Sequence, residues 1–167
     1  MIRECGQDDL ETILGIVNDA AAKYKGVIPA DCWHEPYMTM DYLKKETETG
    51  VRFYGYEESG RLIGVMGMQF FPDVTLIRHA YVRLLAQGKG IGGMLLRYLL
   101  PKTDKPVLIG TWRDTEWSVK FYEKHGFKLV DKPEADGLLK KYWVASKTHF
   151  DNSVVLADSK YAQSAAS

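Results

Sequence analysis

The sequence has little that would staple, embed or charge it. Its two cysteines, Cys5 and Cys32, show no C-x-x-C spacing, which excludes a disulfide framework and a cysteine-rich zinc site; no metal is expected. No apolar run is long enough for a bilayer, since the most apolar stretch, Leu62–Phe71, is short and broken by Gly64 and Gly67. Lys and Arg total 22, as do Asp and Glu, so no charge excess favours nucleic acid or an anionic membrane. The opening MIRECGQDD has no apolar h-region and is acidic early, against a secretory signal. Repeats, low-complexity blocks and linkers are absent, and a reducing cytoplasm is the expected location. What remains is a 167-residue chain with 46% hydrophobic and 26% charged residues. That composition predicts one globular domain over residues 1–158, with a small polar tail, SKYAQSAAS, over 159–167.

The stretch that carries chemistry is Leu76–Leu100, LIRHAYVRLLAQGKGIGGMLLRYLL. Leu76–Val82 reads as a strand, and the Leu- and Met-rich run Ile91–Leu100 as a helix. The glycine-dense segment from Gln87 to Gly93 joins them. The first N–H groups of a helix lack partners within it and sit at the positive end of its dipole, so glycines there admit a phosphate. An ordinary strand–turn–helix would show the same composition. Gly88, Gly90 and Gly93 also fit G-x-G-x-x-G, a dinucleotide fingerprint. The Walker pattern is absent, as no Gly-Lys-Ser/Thr follows at the required spacing.

The rest of the chain chooses among these readings. Ile2–Cys5 is a short strand, and Asp8 or Asp9 caps a helix with Leu10, Ile13, Leu14, Ile16 and Val17 at helical spacing, fading near Lys25-Gly26. Tyr24–Met40 is an irregular segment rich in aromatic residues, either a packed loop or the wall of a small-molecule pocket. A second helix runs from Thr39 or Asp41 to Gly50. Strands at Val51–Glu57 and Arg61–Phe70 flank a hairpin turn at Glu58-Ser59-Gly60. Three strands in antiparallel meander therefore precede the glycine turn, whereas the dinucleotide fingerprint follows the first strand of a mostly parallel sheet. Beyond it come a strand at Val107–Thr111, able to lie parallel to Leu76–Val82, and a helix from Asp114 or Thr115 to His125. A strand at Phe127–Val130, a helix at Ala135–Val144 and a strand at Asn152–Ala157 complete the order.

Gln87-x-x-Gly90-x-Gly92 resembles the Q/R-x-x-G-x-G/A signature of the GNAT acetyltransferase superfamily. Trp117–Phe127, WSVKFYEKHGF, resembles that family's second block, in the same order and at a similar spacing. The resemblance implies an α/β (α+β) fold, a mixed, mostly antiparallel sheet of six to seven strands with helices on both faces. It implies acetyl-CoA as cofactor, held by backbone groups of Ala80, Tyr81 and Val82, with the Ala80 N–H facing the acetyl carbonyl. Gly88, Lys89, Gly90, Ile91 and Gly92 would hold the pyrophosphate, Gln87 would fix the turn, and Tyr122 would stand near the sulfur. Thr115 and Ser118 occupy places where the family usually has Asn and Ala, which bears on cofactor contact from that helix.

Acetyl transfer from a thioester needs a neutral amine, a base to take its proton, a donor for the oxyanion and an acid for the thiolate. The last two roles fall to Ala80 and Tyr122. Alternation along the strand sets His79 opposite Leu76, Arg78 and Ala80, packed under a helix, unless a bulge reverses the parity. Glu57, His34 and Glu35 are further candidates for the base. Tyr24, Trp33 and Arg78 are candidates for the acceptor site, and Arg78 would favour an acceptor bearing a carboxylate or phosphate. The expected acceptor is a small-molecule primary amine. A non-catalytic acyl-CoA-binding module and a protein N-acetyltransferase are the competing functions, and a homodimer is left open.

Overall fold

A computed structural model describes residues 1–165, which form two compact units. The first comprises Met1–Lys23 and His34–Asp104; the second comprises Tyr24–Trp33 and the chain from Lys105 on.

The first unit contains β1 (Ile2–Glu4), α1 (Leu10–Ala21), α2 (Met40–Glu48), β2 (Arg52–Glu58), β3 (Arg61–Phe70), β4 (Thr75–Val82) and α3 (Ile91–Leu99). Its strands pair in sequence order, each antiparallel to the next. Ser59 and Gly60 both take positive φ, 51° and 78°, the backbone that a tight hairpin turn requires. α1 buries Leu10, Ile13, Ile16, Val17 and Ala20 at helical spacing against Leu43, Phe53, Leu62 and Val65. Each such Leu, Ile or Val side chain contributes about 1.5–3 kcal/mol. Asp9 precedes α1 without capping it; its carboxylate instead accepts from Gly6 N–H at 2.8 Å and from Arg3. Thr39 does cap α2, accepting from Tyr42 N–H at 3.2 Å. α3 lies against the other side of β3, where a Cβ on Gly64 would come within 3.0 Å of Ile91.

The second unit contains β5 (Val107–Trp112), α4 (Glu116–Lys124), β6 (Lys128–Leu129), α5 (Lys132–Tyr142), α6 (Lys147–Asp151), β7 (Ser153–Ala157) and α7 (Ser159–Ala165). β7 is antiparallel to both β5 and β6. Gly110 leaves room for the Trp143 indole, which would stand 3.1 Å from a Cβ there. α5 starts earlier than its apolar residues suggest, because Pro133 is well placed in a first helical turn. Sequence reading misses α6, a five-residue helix capped by Ser146, whose hydroxyl accepts from His149 N–H at 3.1 Å. It also takes 159–167 as a frayed tail, yet Ser159–Ala165 is helical. Tyr161 anchors that helix, its N–H bonding the Asp158 carboxylate and its hydroxyl donating to Glu134. Ala166 and Ser167, the end of that expected tail, lie outside the described residues.

Among the described residues the strands number seven and their pairing within each unit is antiparallel, in line with a mixed, mostly antiparallel α/β fold. Among the described residues no helix is long and apolar enough to cross a membrane. Cys5 and Cys32 are free thiols.

Candidate active site

In the first unit, a short turn after β4 leads into α3. Gly88 and Gly90 take φ of +82° and +81°, and a Cβ on either would meet nothing within 4 Å. Gly90 is the N-cap of α3 in the left-handed conformation, without a side-chain cap. Met94 N–H finds the Gly90 carbonyl at 3.0 Å, so the helix begins with the N–H groups of Ile91, Gly92 and Gly93 uncommitted. The turn is open on its outer side and lined by backbone donors at a helix N-terminus, which fits a pyrophosphate. Gln87 ties the turn to the strand: its Nε2 donates to the Val82 carbonyl at 2.9 Å, and Lys23 Nζ reaches its Oε1 at 3.3 Å.

β4 itself changes character along its length, buried from Thr75 to Ile77 and half-buried from Arg78 to Val82. Val65 stands opposite Tyr81, but Gly67 stands opposite Arg78, so two residues of β4, His79 and Ala80, face one of β3, Met66. This is a β-bulge at His79 and Ala80, and His79 takes φ +54°. Gly67 makes room for it, since a Cβ there would come within 3.0 Å of the Arg78 carbonyl. Neither His79 nor Ala80 has a register partner in β3.

The bulge overturns the parity expected from simple alternation. His79 Nε2 lies 2.6 Å from Glu46 Oε1, and Arg78 Nη2 lies 3.0 Å from the same oxygen. The Tyr42 hydroxyl donates to it as well, at 3.0 Å. His79 does pack under a helix, α2, stacked on Phe53 and edge-on to Tyr42. Arg78 is not a free clamp for an acceptor: Nη1 donates to Gln69 Oε1 at 3.1 Å, and Gln69 donates onward to the Thr49 carbonyl. Burial pushes the Glu46 carboxyl up, but His79, Arg78 and Tyr42 together outweigh it and hold it below its ordinary range. Burial, aided by Arg78, holds His79 below the ordinary histidine range against the opposing pull of Glu46. The Tyr42 hydroxyl is pushed up to about 12 by burial and then by Glu46, so it remains a donor.

Glu46 is the residue that sequence reading misses. Its signal was a carboxylate three positions after Leu43, on the buried face of α2, with Tyr42 one turn before it. Among the other candidate bases, Glu57 is held by Arg3 Nε at 2.6 Å.

In the second unit, Tyr122 is buried within an aromatic group, edge-on to Phe121 at 5.0 Å and to Phe127 at 6.1 Å. Burial, with Tyr24 adding to it, drives its hydroxyl well above the ordinary tyrosine range. Tyr24 stacks on Trp117 at 6.3 Å. Trp33 closes a short turn at Ala30–Cys32, half-buried. The two hydroxyls of α4 are engaged internally. Thr115 is fully buried and donates to the Trp112 carbonyl at 2.9 Å, and Ser118 bonds the Thr111 hydroxyl at 2.9 Å. Thr115 is thus a residue of the turn, without a free group for a cofactor.

Comparison with known proteins bears on both units. Residues 49–129 match the family described as an acetyltransferase (GNAT) domain. Curated proteins gave no match. Solved structures did. The PaiA N-acetyltransferase from Thermoplasma acidophilum, in complex with coenzyme A, is similar over 95% of this chain and 97% of its own, with TM-score 0.69 and 18% identity. The ribosomal-protein-alanine N-acetyltransferase from Brucella melitensis is similar over 95% and 98%, with TM-score 0.65 and 19% identity. N-acetylglutamate synthase from Neisseria gonorrhoeae, complexed with coenzyme A and N-acetyl-glutamate, matches 95% of this chain at TM-score 0.68 and 21% identity. This chain spans only 34% of that synthase. Residues 49–129, with both sequence blocks inside them, thus match the GNAT acetyltransferase domain, and the fold is shared with N-acetyltransferases of solved structure over nearly the whole length of this chain.

Proposed function

We propose that the chain is an acetyl-CoA-dependent N-acetyltransferase, passing the acetyl group to a primary amine of a small molecule by direct attack on the thioester. The observation that carries this reading is the pairing of two backbone features in the first unit. One is the open turn at Gly88–Gly92, with its helix N-terminus and positive-φ glycines, suited to the cofactor pyrophosphate. The other is the bulge at His79–Ala80, which takes Ala80 out of the β3–β4 register so that its N–H can serve an acetyl oxyanion. Tyr81 and Val82 follow on the half-buried end of the strand, where backbone groups can bond a pantetheine arm. Lys89 and Gln87 flank and brace the turn.

Residues 1–158 would act as one catalytic domain, in keeping with relatives of similar length whose chains are covered almost entirely. Tyr24 and Trp33 are the proposed acceptor contacts. The free thiols of Cys5 and Cys32 suit a reducing cytoplasm.

Thermal unfolding with candidate cofactors tests the reading. Acetyl-CoA at about 100 times its dissociation constant adds roughly 2.7 kcal/mol, on the order of 5–10 °C in midpoint for this size. A shift with NADH and none with acetyl-CoA would overturn it. Free-thiol release on adding an amine panel then separates transfer from mere binding. Release with protein N-termini alone would replace the small-molecule acceptor by a polypeptide.

A further inference from the structure

Two hydrogen-bonding groups, His79 Nε2 and the Tyr42 hydroxyl, and the ion-paired Arg78 guanidinium converge on Oε1 of Glu46. Two atoms of the same cluster are left open. No described group bonds Glu46 Oε2 or His79 Nδ1, and among the described residues no buried side-chain nitrogen or oxygen lacks a partner. Both atoms therefore reach the surface of the first unit, although the two side chains are only 10% and 12% exposed. An ionised carboxylate can only accept, so the 2.6 Å contact fixes the proton of neutral His79 on Nε2. The lone pair is then on Nδ1, the atom facing out. His79 also immediately precedes Ala80, so the bulge that frees the proposed oxyanion donor is the same one that orients this ring.

From this geometry we propose that His79 Nδ1 is the base that takes the acceptor's proton, and that Glu46 and Arg78 are positioning residues for it. The proposal rests on the acetyltransferase reading above. An ammonium, R–NH₃⁺, gives one proton to Nδ1 and becomes a neutral amine. Its nitrogen lone pair forms the C–N bond to the thioester carbonyl, the C–S bond breaks, and a proton from that nitrogen passes on to the departing thiolate. The imidazolium returns its proton to solvent, so one proton is released per turnover.

The charges facing His79 are set for this work. From α2 come the Glu46 carboxylate and the neutral Tyr42 hydroxyl, from β4 the Arg78 guanidinium; the Phe53 ring of β2 is uncharged. Arg78 offsets Glu46, so the imidazole is oriented by a carboxylate without being locked as a cation. Its lowered affinity for protons keeps the base form populated at neutral pH.

The first test needs no acceptor. Long-range ¹H–¹⁵N NMR of the ¹⁵N-histidine-labelled full chain, assigned with His79→Asn, should show Nε2 protonated and Nδ1 bare at pH 7. Asn is chosen because it tolerates φ +54°. A proton on Nδ1, or an imidazolium at that pH, would overturn the proposal. The second test uses acetyl-CoA and primary alkyl amines, with an aromatic amine that is already neutral as comparison. His79→Asn should lose about 10²–10⁴ in kcat/KM with the alkyl amines and far less with the aromatic one. Glu46→Gln should instead move the acidic limb of the pH profile to lower pH, because the carboxylate favours the imidazolium. Equal losses with both amine classes, with no displaced limb, would overturn the proposal and leave the cluster a packing device. A wild-type protein that shows no thermal shift with acetyl-CoA, or releases thiol with no amine, defeats the acetyltransferase reading itself and the proposal with it.

Discussion

Arg78 and His79 are consecutive in β4, yet both side chains reach the same atom, Oε1 of Glu46, at 3.0 and 2.6 Å. A regular strand would send them to opposite faces. The left-handed backbone at His79, φ +54°, brings them together at a cost of roughly 1–2 kcal/mol. A buried carboxylate with two hydrogen bonds and an ion pair on one oxygen offsets that strain and holds the bulge in place.

Stability should therefore depend on Glu46 and on acid. Removing one partner of a buried charge pair costs about 3–5 kcal/mol, and Glu46→Ala should show such a loss in urea unfolding at pH 7. The acid dependence has two stages. His79 binds its proton more weakly folded than unfolded, so its contribution is intact above the ordinary histidine value of about 6.5 and is lost as pH falls toward its lowered folded value. Glu46 is also lowered, so its contribution persists to the ordinary glutamate range and disappears below it. Unfolding midpoints should drop from pH 7 to 5, and His79→Asn should flatten that part of the curve. A midpoint that is level from pH 7 to 5 in the wild type would contradict a buried neutral His79.

Arg78 gives a second reading of the same cluster. Its charge depresses the His79 proton affinity, so Arg78→Gln should raise it and carry the acidic limb of kcat/KM to higher pH. Two guanidinium nitrogens are already committed to Glu46 and Gln69. KM for acidic and neutral amines should accordingly change alike. A selective rise in KM for carboxylate-bearing amines would instead restore Arg78 as an acceptor clamp.

The element order was legible because each element announces itself locally. α1 shows helical spacing from Leu10 to Ala20, the hairpin has Ser59-Gly60, and the turn before α3 has its glycines. The Glu46 cluster was not. It joins α2 to β4 across 33 residues, and its geometry depends on one extra residue in β4 that leaves no mark in apolar alternation. Gly67, which admits the bulge, looks in sequence like any glycine in a strand. α6 was missed for another reason: five residues are too few for periodicity, and Ser146 was its only signal. Thr115 shows the reverse, since the hydroxyl that suggested ligand contact is buried and donates to the Trp112 carbonyl.

The glycine turn can be tested by separating strain from space. At Gly90, φ +81° penalises any branched side chain, so Gly90→Val should cost about 1–2 kcal/mol even without ligand. Gly90→Asn suits that backbone and should unfold near the wild-type midpoint. Both side chains would stand where the structure leaves nothing within 4 Å, in the path of a pyrophosphate. Both variants should therefore lose most of the acetyl-CoA thermal shift. Undiminished affinity in folded Gly90→Asn would put the phosphate elsewhere.

Tyr122 decides whether the second unit supplies chemistry or only a core. Its ring packs between Phe121 and Phe127, and Phe would keep that packing while deleting the hydroxyl. Burial holds the hydroxyl well above its ordinary value of about 10, whereas a free thiol titrates near 8.5. Full proton transfer from Tyr122 to a thiolate is therefore uphill. If the thioester sulfur lies within its reach, the group would still stabilise charge developing there, by donating a hydrogen bond in the transition state. Tyr122→Phe should then lower turnover by about 10², the low end of the range for general acids, with acetyl-CoA affinity and thermal midpoint nearly unchanged. The loss should shrink with thioesters of more acidic thiols, which leave with less help. Because the hydroxyl stays protonated, Tyr122 should add no basic limb to the wild-type profile at moderately alkaline pH. Turnover within a factor of a few of wild type would remove Tyr122 from the chemistry, and a large fall in midpoint would make it a core residue alone.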